Sequence, residues 1–165
     1  MGEFKKNMYA NMPLSKISSM ITKPYYGSLL HKMQHSPVKK NFAVLILLEK
    51  NTNCTQQFIS CALQIDKVSM VKIIDDLSKK GLVNRTQNSK DRREYFIELT
   101  PKAHKILPEI HNSINELNIE AFKGFKPKEI ETFYKSLYKV IKNVEDLPAS
   151  HTLVFKIKKK LTKTI

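Results

Sequence analysis

Apolar residues return at intervals of three and four along most of this chain, and at intervals of two in one short place. Ile17, Met20 and Ile21, then Tyr26, Leu29, Leu30 and Met33, mark a helical stretch from Pro13 to Gln34 that Pro24 either kinks or divides in two. Ser36-Pro37 interrupts it and offers a start for the next helix, over 38–50, whose FAVLILL run at 42–48 is apolar on every side and belongs in a core. Thr52 to Thr55 supply capping residues ahead of a short helix over about 55–62. Leu63-Gln64-Ile65 joins it to a helix over 66–80, capped by Asp66 and stopped by Gly81. Met70, Ile73, Ile74 and Leu77 give that helix one buried stripe.

The two-residue rhythm falls in NSKDRREYFIEL, residues 88–99, where Tyr95, Ile97 and Leu99 alternate with Glu94, Phe96 and Glu98. With the β-like residues 82–86 it predicts a hairpin, 82–86 against 94–99, around a polar tip. Thr100-Pro101 then caps and opens a long helix to about Phe122. Leu107, Ile110, Ile114, Leu117 and Ala121 follow it at spacings close to a coiled-coil seam, with Pro108 as a bend. Lys126-Pro127 restarts a helix carrying Ile130, Phe133, Leu137, Ile141 and Val144, and Pro148 ends it.

These elements predict a mainly α fold with a small β-hairpin wing: a winged helix-turn-helix lobe beside a helical layer. At 165 residues and 41% hydrophobic content the chain holds one cored domain, over 13–148, with an N-terminal tail at 1–12 and a basic tail at 149–165. The basic tail carries Lys156, Lys158, Lys159, Lys160 and Lys163 and no acid, and LVFKIK within it alternates. The longest apolar run is far short of the roughly 20 residues that span a bilayer, so no membrane is expected. The first residues lack the apolar core of a secretory signal, and two cysteines make no disulfide framework or zinc site; a cytoplasmic location follows.

Charge narrows the partner. Lys and Arg number 29 against 15 Asp and Glu, a net charge of +14, which favours a polyanion. Its placement matters more than its sum. On the helix 66–80 the face opposite the buried stripe offers Lys67, Val68, Ser69, Val71 and Lys72. Lysines suit phosphates or guanine acceptors, Ser69 suits base edges or phosphate, and the valines suit thymine methyl groups in a major groove about 12 Å wide. The wing, over 86–94, crowds Lys90, Arg92 and Arg93 around one acid, Asp91. A narrow minor groove attracts inserted arginines, and Asp91 can orient the Arg93 guanidinium by a charge-assisted bond. Double-stranded DNA is the partner these features fit together.

The segment 55–107, with DDLSKKGLVNR, then DRR, then IELTPKA at uninterrupted spacing, resembles the core of the MarR family of bacterial transcriptional regulators. The resemblance implies a homodimer that reads a pseudo-palindromic operator, with 13–37 and 101–148 as dimerisation helices and 38–100 as the DNA-binding lobe. It places the family's wing arginine at Arg93, its supporting acid at Asp91 and the arginine of the first strand at Arg85. It also implies a repressor released by a small aromatic or phenolic effector, for which Tyr25, Tyr26 and Phe42 are the candidate lining. The chain departs from the family at Gln64, where Gly is usual in the turn, at Phe58, where a charge is usual, and at Ser60, where Ala is usual. The long basic tail is a further departure.

Other chemistry is weaker. His31 with His35, and His104 with His111, sit at helical spacing, yet no acid or cysteine adjoins either pair in sequence, so no metal and no cofactor is expected. Cys54 near a helix N-terminus raises a thiol-based redox sensor as an alternative reading, and Cys61 within a helix reads as structural. A winged-helix protein-interaction module, with Phe58, Val68 and Val71 as an apolar patch, is the other. No nucleophile–base pair, phosphate loop or paired carboxylate motif points to an enzyme.

Overall fold

The computed structural model describes residues 12–89, 93–145 and 147. The tails at 1–11 and 149–165, and with them Lys90, Asp91 and Arg92 of the wing tip, lie outside the described residues. The elements are α1 (Leu14–Lys32), α2 (Phe42–Lys50), β1 (Cys54–Thr55), α3 (Gln56–Ala62), α4 (Lys67–Lys79), β2 (Val83–Gln87), β3 (Tyr95–Leu99), α5 (Pro101–Ala121) and α6 (Pro127–Glu145). The mainly helical fold with a small wing is as the hydrophobic pattern predicts.

α1 is one helix, with Pro24 inside it. α2 starts at Phe42, four residues later than its apolar pattern suggests. Residues 33–41 instead form successive tight turns, with Ser36 N–H on Met33 O, Lys39 N–H on Ser36 O and Asn41 N–H on Val38 O. Met33 and Val38 are buried within these turns, which is why the apolar pattern continues where the helix does not. Asn41 gives its side-chain amide to Asp76 of α4 at 3.0 Å and so ties the start of α2 to the lobe.

One core joins everything from α1 to α5. Leu29 and Met33 meet Leu45 and Leu48 of α2, Ile59 of α3, Met70, Ile74 and Leu77 of α4, Leu82, Val83 and Ile97 around the wing, and Ala103, Leu107 and Ile110 of α5. Burial of each large aliphatic side chain contributes about 1.5–3 kcal/mol over leaving it in water. The spacing of Leu107, Ile110, Ile114 and Leu117 is therefore satisfied within the chain: the first two are buried, and the next two pack on the same core. On this face α5 packs against its own α1 and α2, with Ile114 and Leu117 half-buried.

The wing is a three-stranded antiparallel sheet in the order β1-β3-β2. β2 and β3 pair from Val83 opposite Leu99 to Gln87 opposite Tyr95. β1, two residues long and without periodicity of its own, is held by pairing Cys54 with Ile97 and Thr55 with Phe96. Thr100 closes the far end: its hydroxyl donates to Gly81 O at 2.7 Å and accepts from Ala103 N–H at the start of α5.

Two of the departures from the family pattern meet in the turn between α3 and α4. Gln64 has φ +53, a left-handed conformation that glycine adopts without steric cost. Ser60, buried beneath it, donates its hydroxyl to Ile65 O at 2.5 Å, while Ile65 N–H reaches Ser60 O at 3.0 Å. The serine thus clamps the turn that Gln64 strains. Gln64→Gly is expected to raise the stability by up to about 1 kcal/mol, seen as a rise of roughly 2–4 °C in melting temperature. A fall on the same substitution would show that the left-handed strain is not the dominant cost there.

Candidate nucleic-acid interface

α4 is positioned by its ends and its stripe. Thr55 caps α3, accepting from Phe58 N–H at 3.2 Å, and Asp66 caps α4, accepting from Ser69 N–H at 2.9 Å. The hydroxyl and N–H of Ser69 hold the Asp66 carboxyl below its ordinary range, so the cap stays anionic at the positive end of the helix. Ser69 is half-buried at this cap, with its N–H and hydroxyl turned to Asp66. Met70, Ile74 and Leu77 are buried and Ile73 half-buried.

The opposite face carries Lys67, Val68, Val71 and Lys72, all exposed. Val68 is 67% and Val71 41% exposed, so these valines do not widen the buried stripe. Two water-facing valines between two lysines form a surface able to meet both methyl groups and anions.

Arg85, expected at the DNA from its place on the first wing strand, has its guanidinium 2.5 Å from Asp75 of α4. This pair braces the wing against α4. It also neutralises an acid on the helix, which would otherwise repel phosphates. The hairpin narrows to its tip through Asn88 N–H on Glu94 O at 2.9 Å, and Thr86 Oγ1 donates to Glu98 at 2.8 Å. Arg93 is exposed just past the tip. The expected support of Arg93 by Asp91 falls outside the described residues.

Between α3, the start of α4 and the wing runs a groove of about 330 Å³, lined by Thr55, Gln57, Lys67, Arg85, Arg93 and Tyr95 among others. It brings Lys67 and Arg93 to one side of the molecule. Gln57 and Tyr95 are members that sequence reasoning missed. The exposed side of β3 gives no chemical signal until β1 and α3 are seen beside it.

The remaining candidates divide. Tyr26 and Phe42 face each other with ring centroids 6.1 Å apart. Tyr25 instead donates its hydroxyl to Asn118 of α5 at 2.7 Å, and burial, then the nearby Tyr134, push its phenol above the ordinary range. The fold brings an acid that the sequence did not place beside a histidine: His111 Nε2 lies 2.6 Å from Glu49 Oε2 of α2. Among the described residues no three His, Cys, Asp or Glu side chains group as a metal site. Cys54 lies in β1, only 1% exposed, and burial pushes its thiol up, opposite to the lowering expected of a helix N-terminus. No helix among the described residues is long and apolar enough to cross a membrane.

α6 completes the surface. None of its residues is buried, yet Phe133, Tyr134, Leu137, Tyr138, Ile141 and Val144 all expose large apolar side chains, as do Leu14, Met20 and Ile21 of α1.

Comparison with known proteins agrees with this geometry. The model of the MarR family matches residues 39–95. The chain is 28% identical over 101 residues to the HTH-type transcriptional regulator BilQ of Clostridioides difficile (strain CD3), covering 61% of this chain and 68% of that protein. A MarR transcriptional regulator from Methanosarcina mazei Go1 is 27% identical, with 79% of this chain and 96% of the other covered and a TM-score of 0.70. The fold also matches a Listeria monocytogenes structure described as a MarR family regulator complexed with 26mer DNA: TM-score 0.72, 21% identity, 81% and 89% coverage.

Proposed function

We propose that this chain, whose residues 39–95 match the MarR family and whose fold is that of MarR winged-helix regulators, acts as a homodimer on a pseudo-palindromic DNA operator, each protomer reading one half-site. α4 meets the major groove by the face that carries Lys67, Val68, Val71 and Lys72, and the wing follows the minor groove with Arg93. The observation that carries this reading is the exposure of the basic-apolar face of α4 together with a groove that brings Lys67 of that helix and Arg93 of the wing to one side. The exposed apolar side chains of α6 and α1 supply the contact between protomers. Repression, and release by a small aromatic or phenolic effector near Tyr26 and Phe42, follow from the family likeness. The actual lever between effector and lobe then runs through α1 and α2, which those two rings join.

Selection of bound sequences from random duplexes by the purified protein tests the reading. A two-fold-symmetric winner is expected. Its affinity should fall roughly 10³-fold between about 50 and 200 mM salt, as for a protein that displaces counterions at six or more phosphates. Affinity that ignores salt, or no enriched sequence, would instead indicate a winged helix that docks on protein through its apolar surface.

A further inference from the structure

Two grooves of a duplex are separated by one sugar-phosphate strand. If α4 occupies the major groove and the wing the minor groove, the surface between them faces that strand. In this chain that surface is the concavity between α3, α4 and β3.

Its polar groups are unevenly committed. Arg85 is held by Asp75 at 2.5 Å, and Glu94 accepts from Asn88 at 3.1 Å. Lys67 makes no ion pair among the described residues, and the Tyr95 hydroxyl has no hydrogen-bond partner there. Both line the groove, and Tyr95 is 47% exposed. Gln57, exposed on α3, lines it from the other side. An ammonium, a phenol and an amide thus offer donors around one concavity, beside the Glu94 carboxylate that Asn88 engages. A phosphodiester supplies acceptors only.

We propose that this groove seats the DNA strand between the two grooves, with Lys67 and Tyr95 as phosphate ligands and Gln57 as a further donor. The proposal rests on the operator-binding reading and divides its residues. Lys67 and Tyr95 set affinity for any duplex, while Val68, Val71 and Lys72 discriminate between sequences.

The test measures binding of Lys67→Ala, Tyr95→Phe and Val71→Ala to the selected operator and to a scrambled duplex of equal length, across a salt series. Lys67→Ala is expected to weaken both duplexes by the same factor, about tenfold or more. It should make the slope of log affinity against log salt shallower by about 1.8, for two phosphates per dimer at about 0.9 each. Tyr95→Phe should weaken both roughly 3- to 10-fold with the slope unchanged, since a neutral donor is lost. Val71→Ala should weaken the operator alone. The assignment is overturned if Lys67→Ala affects only the operator with the slope intact, which makes Lys67 a base reader, or if Tyr95→Phe changes neither duplex. Either result leaves operator binding by the native protein standing, whereas salt-independent or absent binding by the native protein overturns both readings.

Discussion

Leu137→Asp combined with Ile141→Asp is expected to yield a folded monomer that has lost its operator. Both residues lie on the outer face of α6, one turn apart, and both are exposed in the protomer. Their replacement removes no intrachain core contact, so helical content and the melting of the α1–α5 core should hold. In the proposed dimer the same positions would be dry, and carboxylates placed there would lack partners. An unpaired buried charge costs several kcal/mol, and the two-fold axis doubles the insult. A monomer keeps one lobe and half the contacts. Specific affinity typically exceeds non-specific affinity by roughly 10³ or more, and that margin is what should vanish. Light scattering of the variant beside a binding isotherm gives the answer. A variant that remains dimeric moves the interface elsewhere, and a monomer with native affinity means the lobes act singly.

Arg93→Ala should lower operator affinity by roughly 100-fold while dimerisation and melting stay as they are. On the operator-binding reading each wing should contribute on the order of 1–2 kcal/mol through a guanidinium in the minor groove, two distant wings add, and 1.4 kcal/mol is a factor of ten. Arg93→Lys should recover only part of the loss, because an ammonium is more strongly hydrated and lacks the planar fork. Unchanged affinity in the alanine variant would remove the wing from the interface.

Much of this architecture could be read from residue order, and the exceptions have physical causes. Asp66, the Met70–Leu77 stripe and Gly81 define α4 because capping, periodicity and a left-handed stop agree within one short segment. Thr100-Pro101 defines α5 in the same way. β1 could not be read, since two residues carry no period and are ordered by a strand some forty residues away. α2 begins later than its apolar pattern suggests because Val38 is apolar for the sake of a turn, not of a helix. The stripe on α5 shows a limit of periodicity: it declares that a face is buried but not against which chain. The exposure of Lys67, Val68, Val71 and Lys72 on one face of α4 was legible from helical phase. The pairing of Arg85 with Asp75 and the meeting of Lys67, Gln57 and Tyr95 were not, because each joins elements that only the tertiary fold brings together.

The single core that runs from Leu29 to Ile110 also constrains how the protein can be recombined. A chimera that grafts residues 38–100 onto a relative's helices would cut through the core that Leu45, Leu82 and Val83 share with Leu29, Met33, Leu107 and Ile110. Such a hybrid must transplant those four scaffold side chains together with the lobe, or accept a mispacked joint.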